Sequence, residues 1–209
     1  MKKRDRFIAY DAYDKLAESY AERARTTGVA GMTFSIIMLY AFQALCGYLY
    51  QELGVVSASF MLGLALGGWF MGRRISELDG DISTLCKAEM AIIAYSLIIP
   101  PAVTLLSFRA AEAFILPLVR GVLPLLNCAA GFLVGLEFPL ASRICLRVGG
   151  RVGSVAGALY ASDLFGACAG SLMASIWLIP LHGVLGACLV AAALNVASLV
   201  LLYSVTRPG

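Results

Sequence analysis

Charge is scarce in this chain: 14% of its 209 residues are Asp, Glu, Lys or Arg, against roughly 25% in a soluble domain. A water-soluble fold of this size could not cover itself with so little charge, so lipid is the expected solvent. Histidine is scarcer still, and the single His182 excludes an internal bis-histidine haem. Six cysteines occur, Cys46, Cys86, Cys128, Cys145, Cys168 and Cys188, but none forms a C-x-x-C pair and four sit inside apolar runs. They read as small apolar residues in helix interfaces, with no metal cluster, disulfide framework or cofactor expected. No basic patch interleaves with aromatics, which argues against nucleic acid as a partner. The charged first 28 residues are not followed by a short apolar core and a small-residue cleavage site, so no secretory leader is expected.

What the chain has in excess is apolar surface, with 60% of residues in the set AVILMFWYC. A transmembrane helix needs about 20 mainly apolar residues. Six stretches approach this, 29–50, 55–72, 88–107, 115–141, 154–180 and 184–205, and predict an all-α polytopic membrane protein with about six spans. Cytoplasmic loops are enriched in Lys and Arg. With the N-terminus inside, only Arg109 and Arg120 of the 16 basic residues fall outside, so both termini are placed in the cytoplasm and the protein in a bacterial inner (plasma) membrane. Two segments follow: 1–28 as a cytoplasmic amphipathic helix, with Phe7, Tyr10, Tyr13, Leu16, Ala17 and Tyr20 at helical spacing, and 29–209 as the transmembrane domain.

The second span carries Gly63, Gly67 and Gly68 in SASFMLGLALGGWFMGRR, a spacing that lets helix backbones approach closely. The fifth reads GSVAGALYASDLFGACAGSLMASIWLIP. Asp163 lies about nine residues into it, roughly 13 Å deep. A carboxylate facing lipid there is costly. The face through Asp163 carries Tyr160, Gly166, Ala167, Gly170, Ser171 and Ala174, small and polar, whereas Phe165, Cys168, Leu172 and Ile176 suit lipid. Asp163 is therefore expected to point into the bundle, as a structural acid or as a group for proton or cation coupling. Glu137, in GLEFPLASR, is the second candidate acid. Tyr160, Arg143 and Arg147 are candidate partners of the two acids, and Glu89 reads as interfacial. The small-residue motifs at Gly63–Gly67 and Gly166–Gly170 fall on the middle members of two helix triplets that run in opposite directions. That is the arrangement of a 3+3 inverted repeat, as in half of a major-facilitator bundle.

The blocks FMLGLALGG, GLEFPLASR and GALYASDLFGACAGSLMASIWLIPLHG, in that order, resemble the membrane region of bacterial membrane-bound spermidine-synthase-like proteins. The family pattern falls on Gly157, Tyr160, Asp163, Gly166, Gly170, Ser171, Pro180 and Gly183, and the resemblance covers 40–205. It implies major-facilitator-like helices. The family's soluble synthase domain has no counterpart here, nor has its Gly-rich nucleotide loop or its amine-gripping acidic pair, so aminopropyltransferase activity is not expected and no catalytic residue is carried over. Three functions remain open from the sequence. One is a non-catalytic subunit or scaffold docking other membrane subunits. Another is a small homodimeric transporter using Asp163 and Glu137. The last is a subunit contributing to a quinone pocket of a respiratory complex.

Overall fold

The computed structural model describes residues 3–47, 50–75, 81–109, 116–147 and 152–206. Side chains are described over somewhat narrower ranges, which leave out those of 1–18 and of Arg147. The proposed apolar face of Phe7, Tyr10, Tyr13, Leu16 and Ala17 and the role suggested for Arg147 therefore lie outside the described residues.

All described secondary structure is helical: α1 (Lys3–Cys46), α2 (Tyr50–Arg74), α3 (Asp81–Arg109), α4 (Leu116–Arg147), α5 (Val152–Met173), a π-helical turn (Ala174–Leu178) and α6 (Ile179–Thr206). Five stretches are long and apolar enough to cross a membrane: Ser19–Cys46, Gln51–Arg74, Ser83–Phe108, Pro117–Leu146 and Gly153–Val200. The protein is a helical membrane protein. Its outer surface agrees, since Trp69, Leu125, Phe165, Leu172, Ile176 and Trp177 are all exposed.

No break separates the N-terminal segment from the first span. α1 runs through residue 28 as one helix of 44 residues, about 66 Å at 1.5 Å per residue, so it projects well past the apolar layer. It ends at Gly47, whose φ of 83° only glycine adopts without strain, and whose N–H donates to the Gln43 carbonyl. At the end of the bundle where α2 stops, Arg73 and Arg74 fold back over the rings of Trp69 and Phe70 at 4.3 and 5.0 Å, the packing that long basic side chains adopt near a membrane interface. This end, which also holds Arg143, is the basic end. At the opposite end Arg120 pairs with Glu52 at 3.3 Å.

Two helix pairs pack backbone to backbone. On α2, a Cβ added to Gly63 or Gly67 would collide with the carbonyl oxygens of Cys128 or Phe132 on α4, and on α4 one added to Gly131 would strike Phe60 O. On α5, a Cβ at Gly166 or Gly170 would collide with Arg25 O or Val29 O of α1, and on α1 one at Gly28 would strike Asp163 O. The small-residue motifs are thus consumed inside the chain. Increasing numbers on one helix meet increasing numbers on the other in both pairs, so each pair is parallel.

The last apolar stretch, Gly153–Val200, is not a straight rod. At the π-helical turn the Ile179 N–H reaches Ala174 O, and Gly183 then leaves helical geometry altogether (φ 66°, ψ −170°). Beyond it, α6 packs along α3: Val184 and Leu185 share a cleft with Pro100 and Thr104, and Ser198 reaches Glu89.

The core is divided. One apolar cluster, around Phe34, Ile37, Phe42, Phe60, Ile92, Ile99, Leu123 and Ala191, fills the half toward the opposite end. A smaller one, around Tyr20, Leu85, Leu140, Val155 and Leu159, fills the basic end. Between them lies a thin polar layer.

Candidate functional site

The polar layer takes one or two residues from each of five helices. α1 passes from Tyr20 in one cluster to Phe34 in the other through Arg23 and Thr27. α3 passes from Leu85 to Ile92 through Glu89, and α4 from Leu140 to Ala130 through Glu137. α5 supplies Asp163 one turn beyond Leu159, and α6 supplies Ser198.

Two carboxylates are tied down here. Glu89 Oε1 accepts from Arg23 Nη2 at 2.5 Å and from Ser198 Oγ at 3.1 Å, with Glu89 0% and Arg23 5% exposed. This ion pair joins α1 and α3, and the serine adds α6. Glu137, 6% exposed, accepts on Oε2 from Thr27 Oγ1 at 2.5 Å. Its other oxygen, Oε1, has no hydrogen-bond partner, and neither has Arg23 Nη1. Asp163 stands beside the next residue of α1, because a Cβ on Gly28 would lie 2.9 Å from Asp163 Oδ1. Successive residues of one helix, Thr27 and Gly28, therefore each meet one acid.

Arg23, Thr27, Glu137 and Asp163 line one cavity of about 300 Å³, the lower end of the range for small-molecule sites. Its remaining walls are apolar: Leu64, Val134, Phe138 and Leu159 among them. Tyr160 lies at its edge and is 57% exposed. Among the described residues, no group of three His, Cys, Asp or Glu side chains could hold a metal ion.

The structure brings Asp163, Glu137 and Tyr160 to one place. Asp163 points inward along the face that buries Gly166, Gly170 and Ala174, while Phe165, Cys168, Leu172 and Ile176 face out. Ser171 is partly covered and bonds within its own helix, to Cys168 O. Arg143 is not the partner of Glu137; the hydrogen bond comes from Thr27. Six residues along a helix is a rotation of about 240°, which turns Arg143 onto another face. Glu89 is not interfacial, because it is enclosed among α1, α3 and α6.

Arg23, Thr27, Gly28, Glu89 and Ser198 are the residues that reading the sequence for motifs leaves out. A signal for Glu89 does exist. Leu85, Glu89, Ile92, Ser96, Ile99 and Val103 recur at the spacing of one helix face, and all six are buried. An acid in register with such a stripe belongs to the interior.

Comparison with models of known protein families, with curated proteins and with solved structures gave no match.

Proposed function

We propose that the chain is a six-crossing, transporter-type unit that moves a proton or a cation through the cavity between its two apolar clusters, with Asp163 and Glu137 as the coupling acids. On this reading both termini are cytoplasmic, the basic end faces the cytoplasm, and the unit works as a homodimer. The observation that carries the proposal is Glu137, a buried acid with one oxygen unsatisfied, on the wall of a cavity at membrane depth. Intramembrane acids are costly and mark ion or proton paths by default. Glu89 also has an unpartnered oxygen, Oε2, but it is ion-paired to Arg23 and does not line the cavity, whereas Glu137 lines it without an ion-pair partner among the described residues.

Six crossings are supported by the direction of α6. Its Val184 end lies beside Pro100 and Thr104, and its Ser198 beside Glu89, so α6 runs opposite to α3. The Arg23–Glu89 ion pair and the Phe34–Tyr95 ring contact make α3 parallel to α1, and α5 is parallel to α1 through its glycines. α5 and α6 are then antiparallel, and Gly183 is the reversal between two crossings.

The glycine contacts also support two inverted three-helix repeats. Gly63 against Cys128 has its counterpart in Gly166 against Arg25, Gly67 against Phe132 in Gly170 against Val29, and Gly131 against Phe60 in Gly28 against Asp163. Every pairing is related to its counterpart by the same shift of 103 (166 less 63, 170 less 67, 131 less 28). The pairing of α2 with α4 thus repeats as α5 with α1, as an exchange of the two triplets requires.

The test is charge movement. Reconstituted in liposomes on a solid support, the protein should give a transient current on a pH step or a cation step. Asp163→Asn and Glu137→Gln should each abolish it at unchanged protein yield. A full current in both variants would refute the assignment.

A further inference from the structure

The charges and shape of the cavity say what it would accept. Three carboxylates, Glu89, Glu137 and Asp163, face one guanidinium, and Arg23 is committed to Glu89. Neither Glu137 nor Asp163 has an ion-pair partner among the described residues. A carboxylate removed from water gains strongly from a cation that can also donate hydrogen bonds. Glu137 Oε1 has its acceptor capacity unused, with Thr27 occupying only Oε2. Beyond the two acids, Arg23, Thr27 and Tyr160, however, the walls are apolar, with Leu64, Val134, Phe138 and Leu159 among them. A hydrated metal ion would leave those walls wet. With one ammonium taking both Glu137 and Asp163, a second cationic group of the same ligand would lie against those apolar walls with no acid beside it.

We infer that the cavity binds a small, singly charged organic ammonium, its N–H groups donating to Glu137 and Asp163 and its hydrocarbon body lying against Leu64, Val134, Phe138 and Leu159. This rests on the transporter reading and gives it a substrate class. Arg23 is the fixed cation that neutralises Glu89, so that only the other two acids remain for the ligand. The volume of about 300 Å³ suits a body of several methylene groups, each contributing about 0.8 kcal/mol on burial, or about fourfold in affinity.

The probes are hexylammonium, hexanol, hexanoate and hexane-1,6-diammonium, titrated calorimetrically into the full chain in mild detergent. Wild-type protein should bind hexylammonium about tenfold or more tightly than hexanol, the factor expected of a hydrogen bond to a charged group, and should not bind hexanoate. Glu137→Gln keeps the Thr27 hydrogen bond and should bring hexylammonium down to the level of hexanol. Asp163→Asn should weaken it as well, whereas Glu52→Gln, at the opposite end, should have no effect. Equal binding of hexanol and hexylammonium would overturn the assignment of a cation. Binding of the diammonium as tight as that of hexylammonium would overturn the single-headed class. Charge movement on a pH step without any alkylammonium binding would leave transport standing and remove this ligand. Alkylammonium binding without charge movement would do the reverse.

Discussion

Replacing Arg23 by Met removes the cation from a carboxylate that is wholly buried. Breaking a buried ion pair from one side costs about 3–5 kcal/mol, because the remaining charge is left uncompensated. Glu89 would keep its Ser198 hydrogen bond, which places Arg23→Met near the lower end, about 3 kcal/mol. Glu89→Met should cost a comparable amount, since it strands the guanidinium. The double variant, apolar on both sides and similar in volume, should lie within about 1 kcal/mol of wild type, with the Ser198 hydroxyl turning back to a carbonyl of its own helix. At about 2–4 °C per kcal/mol for a chain of this size, each single variant should melt about 6–12 °C lower and the double variant close to wild type. Unfolding can be followed by thiol labelling, because Cys188 and Cys145 are buried in the two apolar clusters, once the exposed Cys168 and other accessible thiols have been blocked. A double variant that loses the sum of the two single losses would show that the pair is not coupled, and the account of the polar layer would fail with it.

Glycine-to-leucine changes should separate positions by contact. Gly131→Leu and Gly28→Leu meet facing backbone and should destabilise severely or block folding, while Gly72→Leu and Gly121→Leu, which have open space, should change the melting temperature little. Gly183→Ala should cost about 1–3 kcal/mol, read in the same melt, because its backbone conformation belongs essentially to glycine alone; a neutral substitution would argue against the turn. Reporter domains fused to either terminus should be active on the same, cytoplasmic side of the membrane. Activity on opposite sides would replace six crossings with five.

Much of this molecule could be read from its sequence because lipid imposes simple rules. A long apolar run must be helical, glycines four apart in mid-span let another backbone approach closely, and an acid in mid-span must turn inward. Asp163 and the face around Gly166 and Gly170 follow from those rules alone. The polar layer was harder to foresee. Arg23 stands near the start of a span, where a long basic side chain ordinarily reaches the interface, and only its place one turn before Thr27, on the face of Tyr20 and Phe34, marks it as buried. The run of α1 through residue 28 was hidden by a change of composition, which alters what a helix faces without ending it. For Glu137, the nearby arginines of its own helix were the obvious partners in sequence, yet rotation about the axis turns Arg143 away and offers Thr27 from α1.

The shift of 103 has an electrical consequence. It sets Phe60 opposite Asp163, Phe34 opposite Glu137, Ala130 opposite Thr27 and Leu126 opposite Arg23. Phe60, Phe34 and Ala130 are all buried in the larger apolar cluster. On the repeat proposed above, the polar layer of one triplet stands where the other has part of its larger apolar cluster. A membrane potential falls mainly across the poorly polarisable part of its path, which here is that cluster. On the transport reading, most of the roughly 2.3 kcal/mol per elementary charge per 100 mV would be felt in passing Phe34 and Phe60, while a charge held at Asp163 or Glu137 would stay electrically close to the basic end.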